Sequence, residues 1–183
     1  MRRHFGRTYL GAGLRDYARQ FLGERADPRN AMTDGEAGAT TAVLTGAHGT
    51  KTLVFSEDWY YKQMPHPFEA LTTWTFDLAR SRRVQLADLF CPGTDPLVAL
   101  PPLVRPYLQE AAKGKSGDVP LEQFEPGSRG YLDVDYRAWA LDGEDLLLYL
   151  PASRGPAGMP PGALTPRVPL AALHSILRGS CAA

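Results

Sequence analysis

The chain has 183 residues and a mass of 20.0 kDa, enough to bury one core without metal or disulfide staples. Its 20 basic residues balance 20 acidic ones, which argues against nucleic-acid binding, where a basic surplus is usual, and against an acidic disordered tail. Hydrophobic residues make up 44% and charged residues 22%, ordinary for a globular fold, and no apolar run approaches the roughly 20 residues of a membrane span.

Lysine occurs only at Lys51, Lys62, Lys113 and Lys115, so arginine dominates the basic residues. With much Ala, Gly and Pro this reads as a GC-rich coding bias, a property of the source rather than of mechanism. The chain opens Met1, Arg2, Arg3, His4. A secretory signal would continue with an apolar stretch of about 7–15 residues. Thr8, Gly11, Gly13, Arg15 and Asp16 interrupt it, so no export signal is expected in the chain as written.

Residues 9–22 read as a helix with Leu10, Leu14, Tyr17, Ala18, Phe21 and Leu22 on one face. Residues 30–40 are rich in Gly, Asp, Thr and Ala and read as a loop. Residues 1–40 thus form an N-terminal helix and loop, and residues 41–183 the main domain. Strands are expected at 41–44 and 52–62, with a turn at 46–49. Pro65 and Pro67 cannot donate to a ladder, so the strand pattern resumes only at 71–78. Arg80 to Arg83 is a basic turn, 84–86 is extended, and 87–90 is a helical turn.

Asp95 suits an N-cap and Pro96 the first helical position. The helix then runs to about Ala112, with Leu97, Leu100, Val104 and Leu108 on one face; Pro101, Pro102 and Pro106 are expected to break or kink it. Residues 137–140 and 146–150 form a hairpin about Asp142, Gly143 and Glu144. The continuous apolar run from Leu146 to Leu150 is expected to be a buried central strand. A Gly/Pro-rich loop at 153–166, a short edge strand at 167–169 and a final helix at 170–177 complete the chain. Strands and helices do not alternate regularly, so the class is α+β: a single domain with a twisted, mainly antiparallel sheet packed with a few helices.

Several residues invite chemistry. Ser128, in Pro126-Gly127-Ser128-Arg129-Gly130, lacks the first glycine of a nucleophile elbow and reads as part of a Gly/Ser turn. His174 and Ser175 are helical neighbours that do not face each other. His66, held extended between two prolines, suits a base, a ligand or a backbone-bonding loop residue. Asp133 and Asp135 alternate with apolar residues, as a solvated strand face would. No two histidines stand at ligand spacing, so no zinc site and no other cofactor is expected. Gly114, Lys115 and Ser116 lack the earlier glycine of a phosphate loop. Cys91 and Cys181 belong to no metal pattern; they either pair, if the chain is exported, or remain separate thiols. Trp59, Tyr61, Phe68 and Trp74 cluster around His66, and these five residues are the candidate binding surface if exposed. The Arg80–Arg83 stretch reads as a solvated hairpin tip.

The order of short motifs carries a resemblance. Thr75-Phe76-Asp77-Leu78 and a basic turn precede Val84-Gln85-Leu86-Ala87-Asp88-Leu89-Phe90, then Asp95-Pro96-Leu97 opens a helix. Ala138-Trp139-Ala140-Leu141-Asp142-Gly143 leads into the Leu146–Leu150 strand, and Val168-Pro169-Leu170 into the last helix. This order resembles the RsiV-like extracytoplasmic domain family over roughly residues 52–178, with a pattern similar to its secreted mycobacterial immunogenic antigens. The family's Gly-Gly-x-His segment is replaced here by Met64-Pro65-His66-Pro67. The resemblance implies a secreted or cell-envelope location and a binding or sensing role, since the anti-sigma factor that names the family senses lysozyme by binding it. The expectation is therefore a non-enzymatic domain that recognises a protein or cell-wall ligand. The alternatives are a cell-envelope esterase or other hydrolase and, third, a cytoplasmic scaffold.

Overall fold

A computed structural model describes residues 11–12, 15, 19, 35–61, 68–113, 121–128, 136–151 and 163–181. The expected first helix lies outside these residues apart from Gly11, Ala12, Arg15 and Arg19, which are helical. Four strands build the first sheet: β1 (Gly35–Thr45), β2 (Thr50–Tyr61), β3 (Phe68–Asp77) and β4 (Arg82–Val84), antiparallel and in chain order. β1 starts earlier than expected, inside the stretch read as a loop. Its first residue Gly35 is in register with Tyr61, so the long β2 edge recruits a segment whose composition alone looked irregular. The expected turn between β1 and β2 is a 3₁₀ turn, Ala47–Gly49.

The second sheet has the order β5–β6–β9, from β5 (Trp139–Asp142), β6 (Asp145–Leu148) and β9 (Arg167–Pro169). β6 is its central strand and β9 an edge, as the apolar run and the short Arg-Val-Pro segment foretold. The β5–β6 turn holds Gly143 at φ 58, the left-handed conformation that two-residue hairpin turns need. Arg167 on β9 bonds both Asp142 (2.7 Å) and Asp145 (2.8 Å) across the sheet. A small third pairing joins β7 (Leu150–Pro151) to β8 (Ala163–Leu164). The fold is thus α+β with antiparallel strands throughout its named sheets.

The principal core lies where the long helix α1 (Pro96–Ala112) meets the second sheet. Asp95 caps α1, its carboxylate accepting the Leu97 N–H at 2.9 Å, and Pro96 follows. Of the expected break or kink, no break occurs: α1 runs continuously through Pro101, Pro102 and Pro106. Leu100, Pro101, Val104 and Leu108 are buried, and this packed face holds the helix although three N–H donors are missing. The expected final helix is instead a 3₁₀ turn, Leu170–Leu173, followed by a hydrogen-bonded turn. Long-range bonds tie the segment at both ends: the Leu170 N–H donates to the Glu144 carbonyl at 2.8 Å, and Leu177 bridges Phe90. That leaves too short a span for a regular α-helix.

The two sheets meet through threonines. One face of the first sheet presents Thr50, Thr52 and Val54 from β2 and Thr73, Thr75 and Asp77 from β3, all buried. The Thr52 and Thr75 hydroxyls lie 2.9 Å apart. Thr73 Oγ1 accepts the Trp139 N–H at 2.9 Å, and Thr52 Oγ1 the Leu141 N–H at 3.3 Å. These hydroxyls satisfy backbone donors of β5 that would otherwise be buried without partners. The opposite face carries a smaller apolar cluster of Phe55, Trp74 and Phe76.

Candidate functional site

At the junction of the two sheets the chain leaves a groove of about 990 Å³, the upper end of the ordinary range for ligand cavities. Its floor is apolar: Val84 from β4, Leu89 from the single 3₁₀ turn Leu86–Leu89, Leu141 from β5, and Leu170 and Leu177 from the C-terminal segment. Its walls are charged: Asp77, Arg80 and Arg82 from the β3–β4 hairpin, Asp88, and Arg178.

The sequence builds two of the walls locally. Asp77 ends β3 and pairs with Arg82 across the hairpin. Ser81 closes the intervening loop at φ 52, a left-handed conformation that costs a residue with a side chain about 1–2 kcal/mol. The Asp77 carboxylate accepts the Arg80 N–H (2.9 Å) and the Arg80 guanidinium (2.7 Å), which hold its pKa below the usual carboxylate range. Asp88 accepts the Gln85 N–H at 2.9 Å and Arg82 Nη1 at 3.0 Å, and these bonds likewise lower its pKa. Arg178 also acts on Asp88 through charge alone and makes no ion pair among the described residues.

The third wall is held by a covalent tie. Arg178–Ser180 forms a short 3₁₀ turn, and the next residue, Cys181, is disulfide-bonded to Cys91, 90 positions earlier, with Cα atoms 5.6 Å apart. The Cys91 N–H also donates to the Ile176 carbonyl at 2.9 Å. Of the two arrangements open to the cysteines from sequence, pairing is the one found, and it uses both cysteines of the chain.

Those residues proposed from sequence that are described lie away from the groove. His66 is outside the described residues. Trp59 and Phe68 are register partners of β2 and β3, and Tyr61 ends β2. Thr50 of the same β2 strand lines the groove, so Trp59 lies nine positions, about 30 Å of strand, from it. Trp74 is 9% exposed, and its ring centroid lies 6.2 Å from that of Phe55 inside the smaller cluster. Its ring is therefore part of a core and not of a surface. Asp133, Asp135 and the Gly114–Ser116 stretch fall outside the described residues. His174 and Ser175 are exposed. Ser128 sits in a turn after Gly127 (φ 82), and its buried hydroxyl has no hydrogen-bond partner. Among the described residues no cluster of His, Cys, Asp and Glu could hold a metal ion, and no helix is long and apolar enough to cross a membrane.

Sequence reasoning missed Arg178 and treated the Arg80–Arg83 stretch as a solvated tip. The signal that would have joined them is the cysteine pair, which carries the C-terminal arginine to the segment just after Asp88.

The fold has solved counterparts. The chain is similar to a DUF3298 family protein from Pseudomonas aeruginosa PAO1, with a TM-score of 0.59 and 16% identity, over 90% of this chain and 69% of that one. It is also similar to a DUF3298 family member from Bacteroides fragilis NCTC 9343, with a TM-score of 0.54 and 17% identity, over 96% of this chain and 67% of that one. Likeness at this level of identity shows a shared fold. No protein-family model matches the chain, and no curated protein matches it either.

Proposed function

We propose that this chain is a non-enzymatic binding or sensing domain that works outside the cytoplasm and takes a protein or cell-envelope ligand into the groove at the sheet junction. The observation that carries this reading is the groove itself, an apolar floor walled by arginines and closed by a disulfide-tethered segment. A structural disulfide suits an exported protein, because cytosolic thiols are kept reduced. The resemblance of residues 52–178 to the RsiV-like family, whose best-understood member senses a protein by binding it, supports the same reading.

Gly179 offers a direct test. Gly179 lines the groove and a Cβ there would meet nothing within 4 Å, so Gly179→Trp adds bulk at the groove without a backbone clash. Fractions of cell-envelope extract are expected to raise the melting temperature of the native protein and not that of Gly179→Trp. Equal shifts in both would place ligand binding away from the groove and end this reading. The hydrolase alternative rests on the unpartnered Ser128 hydroxyl. Turnover of short-chain activated esters that collapses in Ser128→Ala or His66→Ala would establish it in place of the binding domain.

A further inference from the structure

The groove's charges are not equivalent, and their differences define the ligand. Its two carboxylates are already engaged: Asp77 by Arg80 and a backbone N–H, Asp88 by Arg82 and a backbone N–H. A cationic ligand would have to displace an arginine from either one. Arg178 is the groove cation with no ion pair among the described residues, and it is exposed. Three arginines against two aspartates leave the lining one positive charge in excess, while the whole chain has none. The guanidinium fork matches a carboxylate in a two-bond geometry. Beside it lies the leucine and valine floor, which is suited to an aliphatic body.

Resting on the groove reading above, we infer that the ligand is an apolar-bodied carboxylate, its charged end on Arg178 and its aliphatic part on Val84, Leu89, Leu141, Leu170 and Leu177. Such a group comes from a free aliphatic acid or from the C-terminus of a peptide ending in leucine; the two share the recognised chemistry.

Calorimetric titration of the full chain tests this with decanoate, decanol, and an acetylated tripeptide ending in Leu-Leu with its terminus free or amidated. Decanoate or the free-terminus peptide is expected to bind about tenfold more tightly than its uncharged counterpart, as one charge-assisted contact at a solvated rim would give. Whichever charged probe binds identifies the source. Arg178→Gln should erase that preference, lowering decanoate affinity more than decanol affinity, Arg178→Lys should keep part of it, and Gly179→Trp should weaken both probes. Arg178 is exposed, so unchanged circular dichroism and melting temperature are expected for its variants.

Equal binding of charged and uncharged probes, with both weakened in Gly179→Trp, would overturn the carboxylate assignment and leave the groove as a binding site. The same holds if no probe binds but extract fractions still stabilise the native chain and not Gly179→Trp. Loss of both probe binding and extract stabilisation would end the two proposals together.

Discussion

Thr73 shows how much one hydroxyl carries. Its Oγ1 accepts the backbone N–H of Trp139 at 2.9 Å, and the residue is 7% exposed. Thr73→Val keeps the shape and removes the acceptor, leaving a buried N–H unpaired. The expected loss is about 1–3 kcal/mol of unfolding free energy in urea titration, whereas Thr40→Val on the exposed β1 strand should cost well under 1 kcal/mol. Equal effects at the two positions would show that the hydroxyl does not join the sheets. Asp77 makes a prediction about pH. Its bonds to Arg80 lower its pKa in the folded state, so the unfolded chain binds a proton more readily. The stabilisation is present above the ordinary carboxylate pKa and is lost as pH falls through the lower, folded value. A melting-temperature profile should therefore fall less steeply on its acid side for Asp77→Asn than for the native chain. Parallel acid limbs would remove Asp77 from the acid response.

At the scale of elements, Gly46 sets how closely the sheets approach. A Cβ there would lie 2.3 Å from Leu141 Cβ and 2.6 Å from Thr50 Oγ1, with the Leu141 backbone at 3.1 Å. Flanking backbone bonds already pin the site: the Ala47 N–H donates to the Gly143 carbonyl and the Gly143 N–H to the Thr45 carbonyl, each at 2.8 Å. Gly46→Ala must therefore push the β5–β6 hairpin away, at a cost of roughly 1–3 kcal/mol or more. Chemical denaturation measures it, and a change within 0.5 kcal/mol, the ordinary spread for surface substitutions, would mean that the junction yields freely. The elements that were legible in the sequence are those fixed locally, such as the Asp95–Pro96 helix start and the Gly143 hairpin turn. Those misread or left open depend on distant partners: the early start of β1 on Tyr61, the continuity of α1 on its packed face, and the C-terminal 3₁₀ turn on Glu144 and Phe90. The threonine face belongs with them. Alternation puts Thr73, Thr75 and Asp77 on one side of β3, but only the second sheet makes that side an interior one.

Across the whole molecule, the Cys91–Cys181 link is the covalent constraint on the fold, and it joins stability to the groove. It closes a loop of 90 positions, for which the loss of unfolded-chain entropy corresponds to about 4–5 kcal/mol. The groove escaped sequence reading, and the cysteine pairing stayed one of two alternatives there, for one reason: residues 90 positions apart become neighbours only when the fold is complete. The same link bears directly on Arg178, three residues before Cys181. Without it, the Phe90–Leu177 bridge and the Cys91 N–H bond to Ile176 should keep the segment docked up to Leu177, while Arg178–Ser180 would be held by the Ser180 N–H bond to the Leu177 carbonyl and no longer by the covalent tie. Cys181→Ala should therefore lower unfolding free energy by about 4–5 kcal/mol and weaken the charged probe several-fold, with decanol affinity changed less. Thiol reduction of the native chain should reproduce both effects, and no further change should follow in the variant. A stability loss with undiminished preference for the charged probe would show that the backbone bridge alone positions Arg178. An unchanged urea midpoint on reduction would show that the link contributes nothing to the fold.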